Sequence, residues 1–99
     1  MSTKREFEFD TELATIEPRQ YKVLLLNDDY TSMDFVVEVL MNIFHKTYQQ
    51  AEQIMHDVHR KDRAVCGIYT YEIAETKVMQ VSKLAREQGY PLKAIMEEA

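Results

Sequence analysis

An unbroken apolar run, Val23-Leu24-Leu25-Leu26, ends abruptly in three polar residues, Asn27-Asp28-Asp29. Short apolar runs bounded by turn formers mark buried strands, so Tyr21 to Leu26 predicts a first strand. Helical spacing follows. Met33, Val36, Val37, Leu40 and Phe44 recur at i, i+3, i+4, i+7 and i+11 and give a first helix one apolar face. Thr31 is its expected N-cap, with Asp34 three residues on in a capping-box arrangement. A second helix starts from Thr47, with Gln50 at its third position and Ala51, Ile54, Met55 and Val58 as its stripe. The short linker predicts that the two helices pack as a hairpin.

Arg60 to Arg63 reads as a charged turn, and Ala64 to Tyr69 as a second strand. Thr70 is placed to cap a third helix, whose inward face is Ala74, Val78, Val81 and Ala85 and whose stop is Gly89. Pro91 to Met96 supplies a last short strand. The order β-α-α-β-α-β predicts the α+β class: a single small domain over residues 20–99, with three helices packed on one face of a three-stranded sheet. Residues 1–19 are polar and mostly acidic, and predict a flexible N-terminal extension. Within it, Phe7, Phe9, Leu13 and Ile16 could serve a partner, although a solubilising tail is the simpler expectation.

Composition narrows the function classes. A chain of 99 residues holds one domain, and a net charge of -5 argues against a nucleic-acid backbone as main partner. No apolar run approaches the roughly 18 residues of a membrane span. The single cysteine excludes an intramolecular disulfide and fits a reducing cytoplasm. Cys66 lies mid-strand, where a thiol is usually inert packing, so a Cys66-His59 hydrolase is not favoured. His56 and His59 stand at i and i+3, which is not the i, i+4 spacing of the strong helical zinc signature. No cofactor and no metal are expected.

One constellation does carry chemistry. If the second helix packs beside the first strand, His59 faces Asn27, Asp28 and Asp29. An amide oxygen, carboxylates and a neutral imidazole nitrogen are all acceptors, and a protonated amine offers donors to match. Met33 opens the first helix directly after this polar mouth, and methionine suits adaptable pockets as well as cores.

These residues bring a known family into view. Tyr21-Lys22-Val23, Asn27-Asp28-Asp29-Tyr30-Thr31, Met33 and Phe35-Val36 resemble ClpS, the bacterial adaptor family of the N-end rule. So do Val58-His59, Ala64-Val65-Cys66-Gly67, Glu72-Ile73-Ala74-Glu75-Thr76-Lys77 and Pro91-Leu92, in the family's order. The resemblance implies a non-enzymatic, monomeric cytoplasmic adaptor. It would bind proteins that begin with Leu, Phe, Tyr or Trp and hand them to the ClpA unfoldase for degradation by ClpP. It further implies that Asn27, Asp28 or Asp29, and His59 bind the α-amino group. Thr31, Met33, Val36, Met55, Val58 and Leu92 would line the apolar pocket, with Met33 as the gate against β-branched Val and Ile. Glu72 and Lys77 would dock the unfoldase.

Two positions depart from the family pattern. Ser32 replaces a common Pro before the gate, which is expected to loosen it, and Asp62 replaces a common Gly after the histidine. The rival readings are a ribosomal-stalk type interaction module without a pocket, and a metal-dependent hydrolase using His56, His59 and an Asp.

Overall fold

The computed structural model describes residues 18–99. Phe7, Phe9, Leu13 and Ile16 lie outside this range. The elements are β1 (Gln20–Leu26), α1 (Met33–Asn42), α2 (Tyr48–Lys61), β2 (Arg63–Thr70), α3 (Tyr71–Gln88) and β3 (Lys93–Glu98). The α+β expectation and its element order hold.

The sheet is antiparallel with β1 in the centre, in the order β2-β1-β3. That position explains the unbroken apolar run. Val23 and Leu25 are fully buried in the main core, while Leu24, on the opposite face, sits between its cross-strand neighbours Val65 and Ile95. Truncating Leu25 to Ala removes a fully buried side chain, which costs about 2–5 kcal/mol. The β1–β2 register slips between Val23 and Leu24, leaving Cys66 as the unpaired residue of a bulge. Next to it, the Tyr69 ring folds over the space a Cβ would occupy at Gly67, so any larger residue there must displace the ring.

The helices supply the rest of the core. α1 and α2 pack on each other, α2 rests on β2, and α3 crosses all three strands. Ala74, Val81 and Ala85 are buried beneath α3 as expected, with Val78 half-buried beside them. Gly89 ends α3 in the left-handed conformation, and the Tyr90 amide reaches back to the Ala85 carbonyl at 2.8 Å, the bond that defines a Schellman stop.

Several local expectations need correction. Ser32, not Thr31, caps α1: its Oγ accepts from the Phe35 amide at 3.1 Å. The Thr31 hydroxyl is already committed to Asp28, so Asp34 closes no capping box. Phe44 is buried but lies beyond the end of α1. The expected turn at Arg60–Arg63 contracts to Asp62 alone, which takes a left-handed φ of 71° as the C-cap of α2. The last strand starts two residues later than read, at Lys93, because Leu92 is anchored in the core before it. Thr70 occupies the N-cap position of α3 but makes no side-chain capping bond. The Thr47–Gln50 capping box of α2 is complete in both directions.

Candidate functional site

The site forms where the end of β1 meets the start of α1 and the end of α2. The loop after β1 is folded by Asp28. Its Oδ1 accepts from the amides of Tyr30 (2.8 Å) and Thr31 (2.7 Å), and its Oδ2 accepts from the Thr31 hydroxyl (2.7 Å). This is the turn-forming habit of aspartate, in which a side-chain oxygen satisfies backbone donors two and three residues on. Partial burial alone would raise the carboxyl pKa, but the bonds from the Thr31 side chain, the Thr31 amide and the Tyr30 amide outweigh it and hold it below the usual value. Asp29 contributes to none of the three bonds and is exposed.

A second tie brings α2 in. The Asn27 amide donates to the Asp62 carbonyl at 2.8 Å, immediately beyond the last turn of α2. His59 is on that turn and is exposed. The result is a cavity of about 270 Å³ with two kinds of wall. Asn27, Asp28, Asp29 and His59 form the polar side. Thr31, Met33, Val36, Met55 and Val58 complete it. Val36, Met55 and Val58 belong to the buried core, so the apolar wall is rigid, whereas Met33 is 50% exposed on the rim. The cavity falls below the roughly 300–1,000 Å³ of sites for drug-sized ligands. It is of a size for one amino-acid side chain.

Nine of the ten residues assigned from sequence to the amine site and pocket therefore meet around one cavity. Leu92 is the exception: it is 4% exposed, belongs to the main core and is not on the cavity wall. Lys77 also has an internal role. Its Nζ donates to the Ile43 carbonyl at the C-terminal end of α1 (2.6 Å) and lies 5.8 Å from the centre of the Tyr69 ring. Glu72 is exposed on the first turn of α3.

The competing chemistries find no comparable arrangement. Cys66 is buried, with its thiol pushed up to about 12 by desolvation, against smaller lowering influences from the Leu25 backbone and Lys46. An ionised nucleophile is not available there. Among the described residues no three His, Cys, Asp or Glu side chains converge as a metal-ligand group. None of the described helices is long and apolar enough to cross a membrane.

Sequence reading missed Tyr90 as a support of the site. Its ring stacks on Phe35 at 4.6 Å between centroids, and its hydroxyl accepts from Ser32 Oγ at 3.2 Å. Ser32 and Tyr90 are 58 residues apart, so no local signal could have joined them.

Comparison with known proteins places the chain in a family. Residues 16–95 match the family model described as ATP-dependent Clp protease adaptor protein ClpS. The ATP-dependent Clp protease adapter protein ClpS of Wolinella succinogenes is 58% identical over 93 residues, covering 94% of this chain and 91% of that protein. The protein of the same name from Acetivibrio thermocellus is 53% identical over 97 residues, covering 98% of both chains. Among solved structures, Agrobacterium tumefaciens ClpS2 bound to L-phenylalaninamide superimposes with a TM-score of 0.81 at 38% identity, over 84% of this chain and all of that one. An adaptor binds and does not catalyse, which is what a site rich in acceptors and lacking an activated nucleophile can do. The chain belongs to the ClpS family of adaptors of the ATP-dependent Clp protease.

Proposed function

We propose that the cavity reads the first residue of a substrate protein, and that the chain delivers proteins beginning with Leu, Phe, Tyr or Trp to the ClpA unfoldase for degradation by ClpP. The observation that carries this reading is the two-sided cavity itself: acceptors on one wall, a rigid apolar wall on the other. A free amino terminus is the one place on a polypeptide where an ammonium and a side chain share a carbon. The related Agrobacterium tumefaciens protein bound to L-phenylalaninamide supports the same reading, since that ligand carries both groups.

Asn27 Oδ1, the Asp29 carboxylate and a His59 ring nitrogen are the acceptors for the ammonium in this reading. Asp28 is a positioning residue, because three internal donors already occupy it. Hydrogen bonds to a charged group contribute about 1.5–3 kcal/mol each, and burial of one Leu or Phe side chain about 1.5–3 kcal/mol. After ordering costs these sum to an affinity near micromolar. The α-amino group has an ordinary pKa of about 7.7–8.0, so binding weakens as pH rises through that range. Glu72 is the exposed candidate for unfoldase docking, while Lys77 acts on that surface by fixing α3 against the end of α1.

Titration of the isotope-labelled protein with L-phenylalaninamide, followed by amide chemical shifts, tests the placement. The expected result is saturable shifts centred on Asn27, Met33, Val36, Met55, Val58 and His59. Shifts confined to another face, or no shifts at millimolar ligand, would overturn it.

A further inference from the structure

A second depression lies beside the first. It runs between α1 and α2, has a volume of about 310 Å³, and shares Met55 with the cavity of the amine site. Its apolar lining has Met55 buried and Val37 half-buried at the base, with Met41 and Tyr48 exposed at its edge. Met41 and Tyr48 are 38% and 57% exposed and so accessible to a bound chain. Asp34, Glu38 and Glu52 also line the depression, and no Lys, Arg or His does. The Tyr48 hydroxyl donates to Glu52 Oε2 at 2.9 Å, which holds that carboxylate beside the apolar lining.

From Met55 back to Tyr48 is seven residues of helix, a length of about 10 Å at the α-helical rise. An extended chain covers that in about three residues. In an extended chain side chains alternate, so residue three points to the same side as residue one, about 7 Å further on. We propose that this groove receives the third residue of the bound substrate, and that it selects a basic side chain there. The aliphatic stem of Lys or Arg suits the apolar lining of Val37, Met41 and Met55, and its cation suits the three carboxylates that line the groove. Arg gains in addition from the Tyr48 ring. The inference rests on the amino-terminal reading of the first cavity, with which the groove is continuous.

The test uses labelled peptides of the form Phe-Ser-X-Ser with X as Arg or Glu, and a third with Arg moved to position two, measured by fluorescence anisotropy on the full chain. With Arg at position three, binding is expected to be roughly three- to tenfold tighter than with Glu, the effect of two or three partly exposed charge pairs. The advantage shrinks when Arg is moved to position two and at high salt. Glu38→Gln with Glu52→Gln, which keeps the shape of both side chains and leaves only Asp34 charged, removes most of the advantage. Glu75→Gln with Glu87→Gln, an equal charge change on α3, retains it. Equal binding of the Arg and Glu peptides, or an advantage that is undiminished in the Glu38/Glu52 variant, overturns the groove proposal and leaves the amino-terminal reading intact. Failure of every peptide to bind overturns both.

Discussion

The amide of Asn27 donates to the carbonyl of Asp62 at 2.8 Å, and this bond joins the two halves of the site. Asn27 ends the central strand's apolar run. Asp62 ends the helix that carries His59, and it can present its carbonyl only by taking a φ of 71°. The cavity thus depends on a residue whose backbone conformation suits glycine better.

Asp62→Gly is therefore expected to stabilise the fold by about 0.5–1 kcal/mol, because glycine meets no Cβ penalty in the left-handed region. Asp62→Val is expected to cost more than 1 kcal/mol, since a β-branched side chain is poorly tolerated there. Urea unfolding of the three proteins checks the order. A glycine variant less stable than the parent would contradict the strain argument.

Asp28 gives the site a pH dependence. Its folded carboxyl pKa lies below the unfolded value, so it stabilises the native state fully above about pH 4 and loses that contribution as pH falls through the folded pKa. Asp28→Asn should be less stable than the parent at neutral pH, and the gap should close in acid. Denaturant midpoints across the acid range measure it. A gap that stays constant would mean the charge on Asp28 contributes nothing.

Cys66 behaves oppositely. Burial pushes its thiol up to about 12. Above about pH 8.5 the unfolded thiol ionises while the native one stays protonated, so its burial makes the fold less stable as pH rises. Native protein should resist a thiol reagent at pH 8 and react once unfolded in urea. Fast modification of the folded protein would contradict the burial and reopen the hydrolase reading.

These local effects show where the sequence could be read and where it could not. The 3.6-residue period located all three helices, and the run Val23–Leu26 located the central strand, because burial enforces both patterns. The cavity was legible because its residues fall at two short segments, 27–36 and 55–59, that any hairpin of α1 and α2 beside β1 brings together. The cap of α1 was not legible: Thr31 and Ser32 are both good caps, and the choice was made by Asp28 claiming the Thr31 hydroxyl. Nor was the consequence of Ser32. Besides the expected effect on the gate, Ser32 holds the first turn of α1 with one bond to Phe35 and a second, 58 residues away, to Tyr90.

Met33 stands half exposed on the cavity rim, at the first residue of the helix that Ser32 caps. Met33→Ala should widen the mouth and raise the affinity of Val- and Ile-initiated peptides relative to Phe, by about tenfold if one side-chain clash is relieved. The ratio of dissociation constants for Phe and Val peptides measures the effect. An unchanged ratio would remove Met33 from the gate.

The most direct test of the central claim is fluorescence anisotropy with a labelled peptide that begins with Phe, against the same peptide N-acetylated and one beginning with Val. The account predicts saturable binding of the free Phe peptide alone, because acetylation removes the ammonium and Val misfits the pocket. Equal binding of the acetylated peptide would contradict it, since a cavity walled by Asn27, Asp29 and His59 would then be reading something other than an amino terminus.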